Sequence, residues 1–121
     1  MRVAVHQQGA NRAVEVIDDA VLVSSGPDAL SIIADPALAE ATGIILHRRN
    51  FADDFFRLST GLAGEVLQKF VTYGVRVAIV GDFSDLESDS LQAFMAESNR
   101  GGNVLFLAGV DEAARRLAGA G

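Results

Sequence analysis

From residue 43 onward the chain repeats one pattern three times: a short apolar run, then a stretch with helical spacing. The runs are GIILH (43–47), VRVAIVGDF (75–83) and NVLFLA (103–108). A run with no polar face belongs in a sheet covered on both sides. The intervening stretches supply the cover. Over residues 61–73, Leu62, Val66, Phe70 and Tyr73 fall near one stripe, with Ala63 and Leu67 alongside, and Gly74 stops the helix. Over 84–102, Ser88 or Asp89 serves as the cap, Leu91, Phe94 and Met95 point inward, and Gly101 is the stop. Residues 110–118 place acids first and arginines last, as a helix dipole favours. Strand and helix alternating at this spacing predict a parallel sheet with right-handed crossovers.

The N-terminal third adds to that sheet. RVAVHQ (2–7) and RAVEVI (12–17) alternate apolar and polar residues around the turn GAN (9–11), which predicts a β-hairpin at one sheet edge. AVLV (20–23) reads as a further short strand. Residues 24–43 open a helix with a serine cap, Pro27 and Asp28, and Pro36 breaks it after Ala34. A second helical turn is expected over 36–42, and a mixed loop over 48–60. The 121 residues, half of them hydrophobic, suit one α/β domain with a single mostly parallel sheet flanked by helices.

Charge and composition remove several function classes. Sixteen acidic and 10 basic residues give a net charge of −6, which disfavours nucleic acid and anionic membranes as partners. Arg48, Arg49 and Arg57 are the local basic group, enough for one small anion. With no cysteine there is no thiol chemistry or disulfide. His6 and His47 lie on separate strands, and DFSDLESD (82–89) does not follow a calcium-loop pattern, so no metal or other cofactor is expected. The polar N-terminus lacks an export signal, and no apolar run approaches the roughly 20 residues of a membrane helix. The expectation is a cytoplasmic protein without membrane attachment.

In open α/β sheets ligands gather beyond the carboxyl ends of the strands. Here those ends carry His47-Arg48-Arg49-Asn50, Gly81-Asp82-Phe83-Ser84 and Ala108-Gly109. The stretch FFRLSTGLAGEVLQKF (55–70) begins a helix at the same edge. Thr60 is read as its cap, with the amides of Gly61 and Leu62 turned outward to meet an anion or a phosphate carried by Ser59 or Thr60. The candidate site is therefore Ser59, Thr60, Gly61, Leu62, Arg57, His47, Arg48, Asp82 and Ser84. The plainer reading is a cap followed by small residues packed against the sheet; the stretch has neither Walker spacing nor GxGxxG. Phe51, Phe55 and Phe56 read as core, with a partner surface as the alternative. Asp53 and Asp54 read as surface charge.

The segments FFRLSTGLAGEVLQKFVTYGVRVAIVGDFS and SLQAFMAESNRGGNVLFLAGVDEAARRL resemble a bacterial family catalogued as domain of unknown function 4180. The likeness spans nearly the whole chain and is strongest over 44–117. More distantly, the element order is similar to STAS domains of anti-sigma factor antagonists. Those domains place an Asp-Ser-Ser-Gly-type turn after a buried strand, and a kinase phosphorylates its second hydroxyl. By that resemblance LSTG (58–61) stands at the turn, Thr60 matches the phosphorylated residue, and Leu58 replaces the aspartate. The resemblance implies a STAS-like architecture and a non-enzymatic regulatory or protein-interaction domain, with a kinase or regulatory protein as partner. Two alternatives stand beside it: a small-anion or nucleotide-binding domain at the same helix start, and a hydrolase using His47, Asp82 and Ser84. An apolar-rich domain with a hairpin edge is also a candidate homo-oligomer.

Overall fold

The structure, a computed structural model, describes residues 1–119. Five strands form one sheet in chain order: β1 (Val3–Gln8), β2 (Asn11–Val16), β3 (Gly43–His47), β4 (Arg76–Val80) and β5 (Val104–Leu107). β1 and β2 are the antiparallel hairpin; every later pairing is parallel. The helices are α1 (Gly26–Ile33), α2 (Leu62–Thr72), α3 (Asp89–Gly101) and α4 (Val110–Ala118). The α/β expectation, the hairpin and all three buried strands are borne out.

The alternation of each strand sorts its side chains to two cores. Val14, Val16, Ile44, Leu46, Val77, Ile79 and Phe106 join one cluster with residues of α1, α2 and α3. Ala13, Ile45, Ala78, Val80 and Leu105 join the other, under Ala113 and Leu117 of α4. Crossovers on one face and sequential strand order give successive turns of one right-handed coil. The strand carboxyl ends therefore emerge together at one edge.

Local signals place the helix ends. Ser25 Oγ accepts from Asp28 N, and Asp28 Oδ2 accepts from Ser24 N at 2.8 Å, so α1 starts with reciprocal capping. α1 ends before Pro36, and a single 3-10 turn follows at Pro36–Leu38. Ser88 Oγ accepts from Leu91 N at 3.2 Å and caps α3.

Three sequence expectations need correction. Residues 20–23 do not form a strand; Val23 alone bridges to Phe51, because Asn50 takes the neighbouring amides. The loop 48–60 is wound into 3-10 turns at Arg48–Asn50, Asp53–Phe56 and Leu58–Thr60. Helix α3 runs through Gly101, and it is Gly102, at φ 82°, that stops it. Phe51, Phe55 and Phe56 are buried, so the core reading of these rings holds. They form an aromatic chain with Phe83 and Phe106 beneath the loops: Phe55–Phe56 and Phe83–Phe106 meet edge to face, and Phe51–Phe55 and Phe56–Phe83 are tilted. Among the described residues no helix is long and apolar enough to cross a membrane, and no cluster of three or more histidine and carboxylate side chains could hold a metal ion.

Candidate functional site at the carboxyl edge of the sheet

The site begins where β3 runs out. His47 is the last residue of the strand, opposite Val80 on β4, and its side chain lies on the α4 side of the sheet. Glu15 of β2 lies on the same side. The two meet at 2.7 Å between His47 Nε2 and Glu15 Oε2, with both side chains about 15% exposed or less. The alternating pattern of β2 puts Glu15 on this face, but only the β2–β3 pairing brings it to His47.

Arg48 turns to the opposite side. Its Nη1 and Nη2 donate to the two carboxylate oxygens of Asp85, at 2.5 and 3.0 Å, and Nη1 also donates to the Asp82 carbonyl. The guanidinium lies 5.3 Å from the Phe56 ring centre and 5.8 Å from that of Phe83. The hydrogen bond with Asp85 raises the Arg48 pKa above its ordinary value and lowers that of Asp85. Gly81 makes this packing feasible, since a Cβ there would sit 2.8 Å from Arg48 Cβ. Arg49 is looser: its Nε reaches the Asp18 carbonyl and Asp19 Oδ1, each at 3.2 Å, and the Asp19 side chain is almost wholly exposed.

Asn50 holds the corner. It is fully buried, and its Nδ2 donates to the carbonyls of Asp18 and Ala20, both at 2.9 Å. Its Oδ1 accepts from His47 N at 2.9 Å, and its own carbonyl accepts from Leu22 N and Val23 N. Residues 18–23 are thereby tied to the exit of β3. Nothing in hydrophobic spacing marks Asn50, because its role is to satisfy main-chain groups of a distant segment.

Around this corner lies a cleft of about 490 Å³, lined by His47, Arg48, Arg49, Phe56, Val80 and Gly81 among others. Arg48 and Arg49 bring positive charge to this lining, Asp53 adds one carboxylate, and Val21, Phe51, Phe56 and Val80 supply apolar surface. That composition suits a small ligand with an acidic group and an apolar body.

The predicted site residues divide into two groups. His47 and Arg48 line the cleft; Asp82 and Ser84 border it, Asp82 through its carbonyl to Arg48 and Ser84 through its amide to Asp82 Oδ1 at 2.9 Å. Hydrogen bonding from Ser84, its side chain first and its amide second, holds the Asp82 carboxyl below its ordinary pKa. Arg57, Ser59, Thr60, Gly61 and Leu62 form the second group, at the start of α2. No hydrogen bond or ion pair among the described residues links the two groups, nor does any join His47 to Asp82 or Ser84.

The start of α2 also differs from expectation in detail. Its cap is Gly61, in the left-handed region at φ 75°, and Thr60 lies one residue earlier. The Thr60 hydroxyl is shared between the carbonyls of Asp54 and Arg57, at 2.7 and 2.8 Å, and accepts from Leu62 N at 3.2 Å. Gly61 N donates to Leu58 O. The Gly61 and Leu62 amides are therefore engaged within the turn, not turned outward. Ser59, Thr60 and Gly61 are exposed, and Arg57 pairs with Asp54 at 3.2 Å in solvent.

A family model matches residues 8–117, which takes in β2 to β5, α1 to α3 and all but the last residue of α4. The chain belongs to this family, described as a domain of unknown function (DUF4180). The DUF4180 match covers the whole cleft and the start of α2, and leaves most of β1 outside it. No curated protein and no solved structure matches the chain.

Proposed function

We propose that this chain is a non-enzymatic domain that binds a small ligand, anionic at one end and apolar at the other, in the cleft beyond β3 and β4. The observation that carries the reading is the meeting of His47, Arg48 and Arg49 with an apolar wall at the strand exits. Open α/β sheets hold ligands at this edge. Within the cleft, Arg49 is the cation free to exchange partners. Its bond to Asp19 is an exposed surface pair, which contributes little and yields to a better anion. Arg48, locked by Asp85 and two rings, shapes the wall instead.

The test is a thermal-shift screen with phosphorylated and carboxylated metabolites, nucleotides included. A ligand at 100 times its Kd stabilises by about 2.7 kcal/mol, which such a screen detects. Arg49→Ala should abolish the shift, whereas Arg57→Ala should leave it. No stabilisation at millimolar ligand, or loss only with Arg57→Ala, would overturn the reading.

The regulatory reading, with its STAS-like switch, draws support from the exposure of the Ser59–Thr60 corner. The hydrogen bonds of Thr60 shift the choice of acceptor to Ser59, since a phosphate on Thr60 would sacrifice three contacts within the turn. Ser59→Asp should change the proteins recovered by pull-down from a lysate while Ser59→Ala does not. If neither changes them, the switch has no support.

A further inference from the structure

We propose that the free edge of β1 is a homodimer interface, on which β1 of a second copy pairs antiparallel about a two-fold axis through Val5. A sheet of five strands in sequential order has two edges, at β1 and β5. Their treatment differs. On β5, Phe106 N donates to Asn99 Oδ1 at 2.6 Å, and Asn99 Nδ2 donates to the Phe106 carbonyl at 3.1 Å. A side chain of α3 thus takes the place of a further strand, and the edge is closed to pairing.

Among the described residues β1 has no such guard. Ile17 N donates to the Arg2 carbonyl, and Val3 opposes Val16 in register. By antiparallel alternation, Arg2, Ala4, His6 and Gln8 bond to β2, and the N–H and C=O groups of Val3, Val5 and Gln7 point away from it. The strand runs in unbroken register over Val3–Gln8, without proline, lysine or bulge. Val5, at its middle, is 44% exposed. A bare, regular edge with an exposed valine is a template for strand addition.

Charge and register favour a second copy as the occupant. All 16 acidic residues lie from Glu15 onward, so two chains of net charge −6 can approach along this edge without opposing carboxylates. A Val5-centred register sets Val5 against Val5, Val3 against Gln7, Ala4 against His6 and Arg2 against Gln8. No like charges face each other, and every outward main-chain group of Val3, Val5 and Gln7 finds a partner. Slipping the centre to Ala4 would oppose Arg2 to His6; slipping it to His6 would stack two histidines. On the α4 side a hollow of about 410 Å³, lined in part by His6, Gln8, Ala114 and Arg115, runs beside the strand and would be closed by the second copy.

The test is the mass of the full chain by sedimentation or light scattering, from micromolar to millimolar concentration. A dimer is expected, with Val5→Lys monomeric where the unaltered chain is dimeric, and Val71→Lys, exposed on α2, unchanged. Because the chain has no cysteine, Val5→Cys gives a single thiol. Opposed residues in a hydrogen-bonded pair lie about 5.5 Å apart, within disulfide range. Oxidation should therefore cross-link Val5→Cys and spare Val71→Cys. A monomer at every concentration, or a dimer that Val5→Lys leaves intact and Val5→Cys does not cross-link, would overturn the proposal.

Discussion

Asn50 has the least exchangeable side chain at the carboxyl edge. Alanine there would strand the carbonyls of Asp18 and Ala20 and the amide of His47. The expected loss is about 2–3 kcal/mol in urea unfolding at pH 7. Asn50→Asp keeps the shape but faces two carbonyls with a carboxylate. Burial beside acceptors raises the pKa of such a group, so its penalty is present above the ordinary carboxylate range and relieved as pH falls. Asn50→Asp should therefore be less stable than Asn50→Ala at pH 7 and recover ground as pH falls toward about 4, with no further gain below it. Asp85 behaves in the opposite sense. Its folded pKa is lowered by Arg48, so its contribution is present above the ordinary value of 3.8 and is lost as pH falls below it. Urea melts across that range should show a shallower acid decline in Asp85→Asn than in the unaltered chain. Equal slopes would mean that the Arg48–Asp85 pair does not couple to folding.

Among the elements, the extent to which sequence disclosed structure depended on whether the signal was local. Strands β3, β4 and β5 were legible because each is apolar on both faces, and α4 because its charges follow the helix dipole. The 3-10 turns of 48–60 were not legible. Their geometry follows from Asn50 and from three buried phenylalanines seeking the core, which are tertiary causes. The start of α2 misled because serine or threonine before an apolar stripe reads as a cap, while Gly61 adopts the left-handed conformation that makes glycine the cap. Asn99 was equally hidden: on α3 it reads as one more polar residue, yet it closes the edge of β5. Asn99→Ala should cost about 1 kcal/mol of stability and increase concentration-dependent light scattering, as the freed edge recruits other chains. Unchanged scattering would leave Asn99 a structural contact alone.

At the level of the whole molecule, sequential strand order with the first three helices on one face explains why a single edge concentrates the polar residues. Every β-to-α connection after β3 leaves at that edge, so His47, Arg48, Gly81 and Asp82 meet though more than thirty positions separate the outermost. That much of the site could be read from element order. What could not be read was which cations stay free, because Arg48 is consumed by Asp85 and two aromatic rings. The same topology carries the start of α2 to a neighbouring position without joining it to the cleft, and this separation lets the two readings be distinguished. The most direct measurement is a backbone amide NMR titration of the full chain with the ligand found by thermal shift. Ligand bound in the cleft should shift resonances chiefly at His47–Asn50 and Val80–Asp82. Shifts confined to Ser59–Gly64, or spread without focus over the surface, would contradict this.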